Sequence, residues 1–246
     1  MHARQSAQNR TNQRAVQMIS GLSRKERERL ARRQEMLLAA RSVFAEKGYS
    51  GATLDEIAHR SEFGKGTIYN YFEGGKEEIL IAILNQMYDE TASIASDVFS
   101  NERLAAESIR QLFSEFLTRI FTYLTEHRDV FIIHVKEAHA FLFAENRKLA
   151  DAVMQKRDQV IGLLRRPIEY GIESGQLRPL PADAVSHMLL GNIKGIQMQR
   201  CLRTMHGSET DAAVCTNESQ AEFLISVLFD GLLNHSKESD GGNSSK

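Results

Sequence analysis

Between Gly48 and Phe72 the chain reads GYSGATLDEIAHRSEFGKGTIYNYF, and the last part of this stretch gathers side chains suited to a nucleic acid duplex. Lys65 brings a cation, and Thr67 and Tyr71 bring hydroxyls, the groups that hold phosphate oxygens. Tyr69 and Asn70 bring an aromatic face and an amide, the groups that read base edges. Gly66 contributes through its missing side chain, which lets a helix N-terminus approach a thymine methyl or a phosphate closely. To act together these residues must share one short helix that fits a major groove. Ile68 and Phe72, four apart, give that helix an inward face, and Gly64 stands where a cap belongs.

The elements that must position this helix are legible upstream. Thr53 followed by Glu56 is a capping box: the hydroxyl accepts from the third backbone N–H while the carboxylate reaches back. It opens a helix that buries Leu54, Ile57 and Ala58. Joined through Ser61-Glu62-Phe63, the two short helices outline a helix-turn-helix. Ser23 with Glu26 is a second capping box, starting an approach helix through Leu37, Ala40 and Phe44 to Lys47, which Gly48 ends. That helix carries Arg24, Lys25, Arg27, Arg29, Arg32 and Arg33, to be read either as a solvated charged face or as contacts to phosphates and the minor groove.

In order and spelling these residues resemble the N-terminal domain of the tetracycline-repressor (TetR) family of bacterial regulators. The likeness runs from Ala39 to Ala58, through Lys65 to Phe72, and into Lys76 to Leu84; past Leu84 it is one of layout. It implies an all-α fold, with an N-terminal three-helix head carrying the helix-turn-helix and a C-terminal helical bundle for ligand binding and dimerisation. It places Thr53, Thr67, Tyr71 and Lys76 on the DNA backbone and Lys65, Gly66, Tyr69 and Asn70 nearest the base edges. Three departures from the family pattern concern turns. Glu62 stands where a small residue is usual and carries a steric penalty if the backbone needs positive φ. Gly64 replaces a Ser or Thr cap, and Glu73-Gly74-Gly75 is one residue longer than usual.

Composition agrees with helix nearly everywhere: of 246 residues three are proline and none tryptophan, and no convincing strand is seen. The net charge of −1 hides an asymmetry. Residues 1–80 hold 14 Lys and Arg against 10 Asp and Glu, a balance of +4, and the remainder 17 against 22, a balance of −5. The positive end is the expected DNA end. Cys201 and Cys215 form no CxxC pair, no apolar run approaches the ~18 residues that span a bilayer, and Met1–Gly21 has no apolar middle. A cytoplasmic protein with reduced thiols is expected. Segments 1–22 and 237–246 read as a disordered basic arm and a disordered tail. Residues 23–84 read as the DNA-binding head with its linking helix, and 85–236 as the effector-binding and dimerisation domain.

In that second domain Asn101 is expected to cap a long helix whose apolar residues run from Ile109 to Leu124 at spacings of three and four. Arg128–Phe143 reads as a short buried helix. Glu145–Ser174 resumes the 3.6-residue period as a further helix, expected to kink at Pro167 and stopped by Gly175. Two further helices carry Val185, Leu189, Gly191 and Gly195, and Phe223, Leu224 and Leu228. The glycines allow close backbone approach, and the resemblance implies a four-helix bundle built from one such pair per subunit, so these seven residues are the expected homodimer interface. The family usually binds its effector among the middle helices, which here offer Tyr123, Phe131, His134, Glu137, His139 and Phe141, a set suited to a small hydrophobic or aromatic molecule.

His134 and His139, five apart, do not share a helix face as an i, i+4 pair would, so no metal is expected and no other cofactor is implied. With no phosphate loop, nucleophile elbow or HExxH, no enzyme is expected either. The functional expectation is a ligand-released repressor, homodimeric on a palindromic double-stranded DNA operator. The alternative is a DNA-binding protein whose helical body holds a protein partner, as a nucleoid or cell-division factor would.

Overall fold

The structure is a computed structural model that describes residues 21–138, 147–205 and 216–231. The basic arm through Ser20, the tail from 237, Cys215, His139 and Phe141 lie outside them. Helices make up nearly all of the described chain, and no strand occurs among the described residues. The chain divides into two compact units between Ile83 and Leu84.

The first unit holds three helices and the start of a fourth. Helix α1 (Arg24–Gly51) begins at the Ser23–Glu26 capping box, in which the Ser23 amide donates to Glu26 Oε2 at 2.8 Å. Its register breaks at Gly48, whose φ of 68° and ψ of 168° only glycine adopts easily. Helix α2 (Leu54–Ser61) follows the Thr53–Glu56 capping box, and α3 (Lys65–Tyr71) follows Gly64, which offers no side-chain cap. Met36, Leu37, Ala40, Val43 and Phe44 of α1 form the core with Ile57, Ile68, Phe72, Ile79, Leu80 and Ile83. Helix α4 (Gly75–Val98) runs on into the second unit.

The second unit corrects one helix start. Asn101 does not cap the long apolar helix; it is the first residue of a separate short helix, α5 (Asn101–Ala106), preceded by Ser100. The long helix α6 (Ile109–Glu126) starts at a third capping box, Ser108 with Gln111. Every apolar position read from Ile109 to Leu124 is buried. Phe113 and Phe116 pack on Phe99 at ring distances of 4.9 and 5.3 Å, and Phe229 closes on Phe113 at 6.1 Å. Around this row stand α7 (Arg128–Ile133), continued by a π-helical turn (His134–Ala138), α8 (Arg147–Glu173), α9 (Ala182–Met205) and α10 (Asn217–Asp230). Helix α8 packs on α9, and α6 packs on both α9 and α10. Helix α8 continues through Pro167, and Gly175, at φ 72°, ends the chain's run beyond it.

Three cations of this unit hold helices together through acids. Arg103 bridges Glu107 and Glu115, Arg119 reaches Asp97 and Glu115, and Arg110 forks onto Asp230 at 2.7 and 2.9 Å, fixing the end of α10 to α6. Phe116→Ala should cost about 3–5 kcal/mol by emptying the middle of the phenylalanine row. Ser108→Ala should cost about 1 kcal/mol by removing a cap. Urea unfolding followed by circular dichroism measures both as lowered midpoints.

Candidate nucleic-acid interface

Helix α3 has seven residues, too few to hold its own shape in water. Its conformation comes from two anchors: Ile68 and Phe72 are both fully buried in the first unit. With those two turned inward, the 3.6-residue period turns Lys65, Gly66, Tyr69 and Asn70 outward, and all four are exposed. Thr67 and Tyr71 flank them half-buried. The expected base-facing set thus shares one exposed strip, and the expected phosphate-facing pair borders it.

Several contacts that periodicity does not reveal fix this strip. Lys65 Nζ pairs with Asp55 Oδ2 at 3.0 Å, and that hydrogen bond holds its ammonium pKa above the usual lysine value. Arg60 forks onto Glu46 at 2.6 and 2.9 Å and donates to Ser42 Oγ at 2.8 Å, tying α2 to α1. The guanidinium of Arg29 lies 5.8 Å from the Tyr71 ring centroid, and that of Arg33 lies 4.8 Å from that of Phe72. The basic first turns of α1 therefore stand beside the C-terminal end of α3.

Each of the three turn departures takes a definite form. Glu62 is the C-cap of α2 at φ 58° and ψ 22°, and among the described residues it alone is a non-glycine at positive φ. Its amide donates to the carbonyls of Ala58 and His59, so the turn keeps the left-handed geometry that glycine normally supplies. Gly64 takes an extended cap conformation, φ −66° and ψ 146°, open to any residue. The longer connector closes through Gly75, at φ 61°, whose amide donates to Phe72 O at 2.9 Å. A Cβ there would stand 3.2 Å from Leu54 Cδ1 and 3.4 Å from Tyr69 Cε1.

Lys76 is engaged within the first unit. Its ammonium donates to the carbonyls of Tyr49 and Ala52 at 2.7 and 2.8 Å and lies 4.4 Å from the Tyr49 ring centroid. Two of its three protons thus serve carbonyls freed where α1 breaks, instead of standing clear for a phosphate. Thr53 is exposed, but its hydroxyl accepts from the Glu56 amide as a cap.

Residues 36–83 match the family model described as bacterial regulatory proteins, tetR family. The chain carries the N-terminal domain of the TetR family of bacterial regulators. Among curated TetR-type regulators it is 29% identical over 131 residues to the HTH-type transcriptional regulator YuxN of Bacillus subtilis; the match takes in 53% of this chain and 42% of that one. The chain thus spans less than half the length of that relative. Among solved structures, the transcriptional regulator FadR from Bacillus subtilis in complex with stearoyl-CoA superposes with a TM-score of 0.66 at 20% identity, covering 81% of this chain and 99% of that one. AibR in complex with isovaleryl coenzyme A and operator DNA gives 0.60 at 21%, covering 80% and 98%. At such identities the likeness is one of fold. The TetR match ends within α4 at Ile83, where the first unit ends, so the second unit has to be read from its own residues.

There the expected effector residues that the structure describes lie on α6, α7 and the π-helical turn. Phe131 is core, His134 is buried with its Nε2 3.5 Å from Tyr88 Oη, and the tilted rings of Tyr123 and His127 have centroids 4.6 Å apart. Glu137 lies half-buried in the π-helical turn. A cavity of about 740 Å³ opens elsewhere, lined by Phe113, Ile172, Leu189, Leu224 and Phe229 among others, and it includes none of the expected residues. Of the expected dimer residues, Leu189 and Leu224 are buried within the protomer, on the inner side of α9 and α10. Val185 and Leu228 are half-buried. Gly191, Gly195 and Phe223 are exposed, in company with Met188 and Leu202, which the sequence pattern missed. No group of three or more metal-ligating side chains, and no helix long and apolar enough to cross a membrane, occurs among the described residues.

Glu62→Gly should stabilise the chain by about 0.5–1 kcal/mol. A left-handed non-glycine costs roughly 1–2 kcal/mol, and glycine's extra freedom in the unfolded chain takes back part of the gain. Thermal unfolding monitored at 222 nm checks this as a raised midpoint.

Proposed function

We propose that this TetR-family regulator is a homodimeric repressor, released from a roughly palindromic operator by a small hydrophobic or aromatic effector. The observation that carries the reading is the exposed strip of Lys65, Gly66, Tyr69 and Asn70 on a helix locked from behind by Ile68 and Phe72. Gly66 is the telling member: a Cβ built there meets nothing within 4 Å, so the protein's own packing does not require a glycine. Glycine inside a helix costs roughly 0.5–1 kcal/mol relative to alanine. A close partner outside the chain gives that cost a purpose, and a DNA groove is such a partner.

The second copy is supported by the outward row Met188, Gly191, Gly195 and Leu202 on α9 with Phe223 on α10, an apolar face whose glycines admit another helix closely. A twofold dimer places two recognition helices about 34–36 Å apart, in successive major grooves of a palindromic site. FadR was solved with stearoyl-CoA, and AibR with isovaleryl coenzyme A and operator DNA, which supports a fold that serves a small molecule and a duplex. An effector that favours a different spacing of the two heads weakens DNA binding by its differential affinity for the two states, and DNA weakens effector binding by the same factor. Helix α4, continuous across the division at Ile83, is the element through which that coupling runs.

Fluorescence anisotropy with the duplex upstream of the chain's own gene tests the DNA reading. The affinity should fall by about a thousandfold or more between 50 and 200 mM salt, as six or more phosphate contacts require; a flat dependence would overturn it. Gly66→Leu should leave the thermal midpoint unchanged or higher while lowering operator affinity at least tenfold. Unchanged affinity would remove α3 from the interface.

A further inference from the structure

On α9 the residues His187, Leu190, Lys194, Gln197 and Cys201 recur at spacings of three and four, which puts them on one side of the helix. Leu190, Gln197 and Cys201 are buried and Lys194 is half-buried, so an ammonium sits on an inward face. It lies 5.9 Å from the ring centroid of Tyr88, a residue 3% exposed whose ring edge meets His134 at 5.2 Å. From α8 comes Arg157, half-buried, whose guanidinium approaches His187 Nδ1 at 3.0 Å and Met154 Sδ at 3.9 Å.

Among the described residues neither Lys194 nor Arg157 has a carboxylate partner. Asp89 serves Lys156, and Asp183 faces His187 and Arg165. Arg103 and Arg119 in the same unit are each bridged to two acids. Burial, with Arg157's charge adding to it, pushes Lys194 down to about 8. Tyr88 supplies no counter-charge, since burial pushes its hydroxyl up to about 12. One turn along α9 the carboxamide oxygen of Gln197, 2% exposed, has no hydrogen-bond partner, although its nitrogen donates to Leu124 O at 3.0 Å.

Like charges drawn partly out of water without a counterion oppose folding, and such arrangements gather at functional sites, where a ligand completes them. We propose that Lys194 and Arg157 bind the anionic group of the effector, which is therefore an organic acid or phosphate ester with an apolar chain, its acidic end held against Tyr88 between α8 and α9. This rests on the reading of the second unit as an effector domain. Arg157 supplies a planar fork for a carboxylate or phosphate, and Lys194 supplies a point charge. Gln197 offers its amide to a further polar group of the same ligand.

The test uses the purified full chain with straight-chain carboxylates, mono-alkyl phosphates and the matching primary alcohols of four to twelve carbons. Thermal midpoint and operator affinity are followed together at pH 7. The expected result is that one anionic series raises the midpoint and weakens operator binding while the alcohols do neither. Which series responds tells carboxylate from phosphate. Lys194→Met and Arg157→Met should each lower anion affinity at least tenfold and leave operator affinity without ligand unchanged, which also shows that the variants are folded. Lys194→Met should itself raise the ligand-free midpoint.

The pH dependence follows from Lys194, with Arg157, Tyr88, His134 and His187 the other charged or titratable groups around it. The folded chain holds the Lys194 proton less tightly than the unfolded chain does. Its cost to stability is therefore full below about 8 and vanishes as pH rises to 10.5, the unperturbed value. The midpoint advantage of Lys194→Met should close over that window, and anion binding to the wild type should weaken as pH climbs through about 8. Alcohols acting as well as anions, no response to either anionic series, or variants binding within twofold of wild type would each overturn the proposal. Failure of the ligand-free chain to bind its operator would instead sink the functional reading beneath it.

Discussion

The burial of Ile68 and Phe72 is the constraint on which the first unit turns. A seven-residue helix has no stability of its own, and its orientation is whatever its two anchors impose. Seating them against α1 and α4 decides which side chains of α3 meet solvent. Everything else nearby reinforces that seating: the Thr53 cap fixes where α2 starts, the Arg60 fork holds α2 on α1, and Glu62 accepts an unfavourable backbone angle so that the turn between α2 and α3 can be tight.

The second unit follows a different rule. Its core is a row of phenylalanines and aliphatic residues on α6, and Arg103 and Arg119 beside that row are matched by acids. Matched ions set helix registers at modest net cost because each partner reduces the other's desolvation penalty. Lys194 and Arg157 have no such match among the described residues. On facing helices, beside a buried tyrosine and histidine, they gather positive charge in a unit that is acidic as a whole.

Much of the first unit was legible because its signals are local. A capping box needs four residues, so Ser23–Glu26 and Thr53–Glu56 announce their helices without help from the rest of the chain. The Ser108–Gln111 box carries the same signal, but Asn101 upstream offered a rival start, and only the packing of α5 separates the two. Lys76 could not be placed from sequence, because the carbonyls it serves lie 24 and 27 residues away and become available only where α1 breaks at Gly48. Leu189 and Leu224 show a related limit: a helix apolar on two sides gives a period without saying which side is inside. A lysine on a helix ordinarily reads as solvated, although the register of Lys194 with Leu190, Gln197 and Cys201 marks it as inward-facing.

Gly75 has a bearing on how such a head changes over generations. Because the space a β-carbon would take there is shared by Leu54 and the Tyr69 ring, the aromatic on the exposed strip is mechanically linked to the connector behind it. Positions 66 and 70 carry no such link and are free to drift one at a time toward a new target site, whereas Lys65 is tied to Asp55. Position 69 is coupled to the loop, so a lineage acquiring new operators would move in small independent steps at two places and in correlated pairs at the other two.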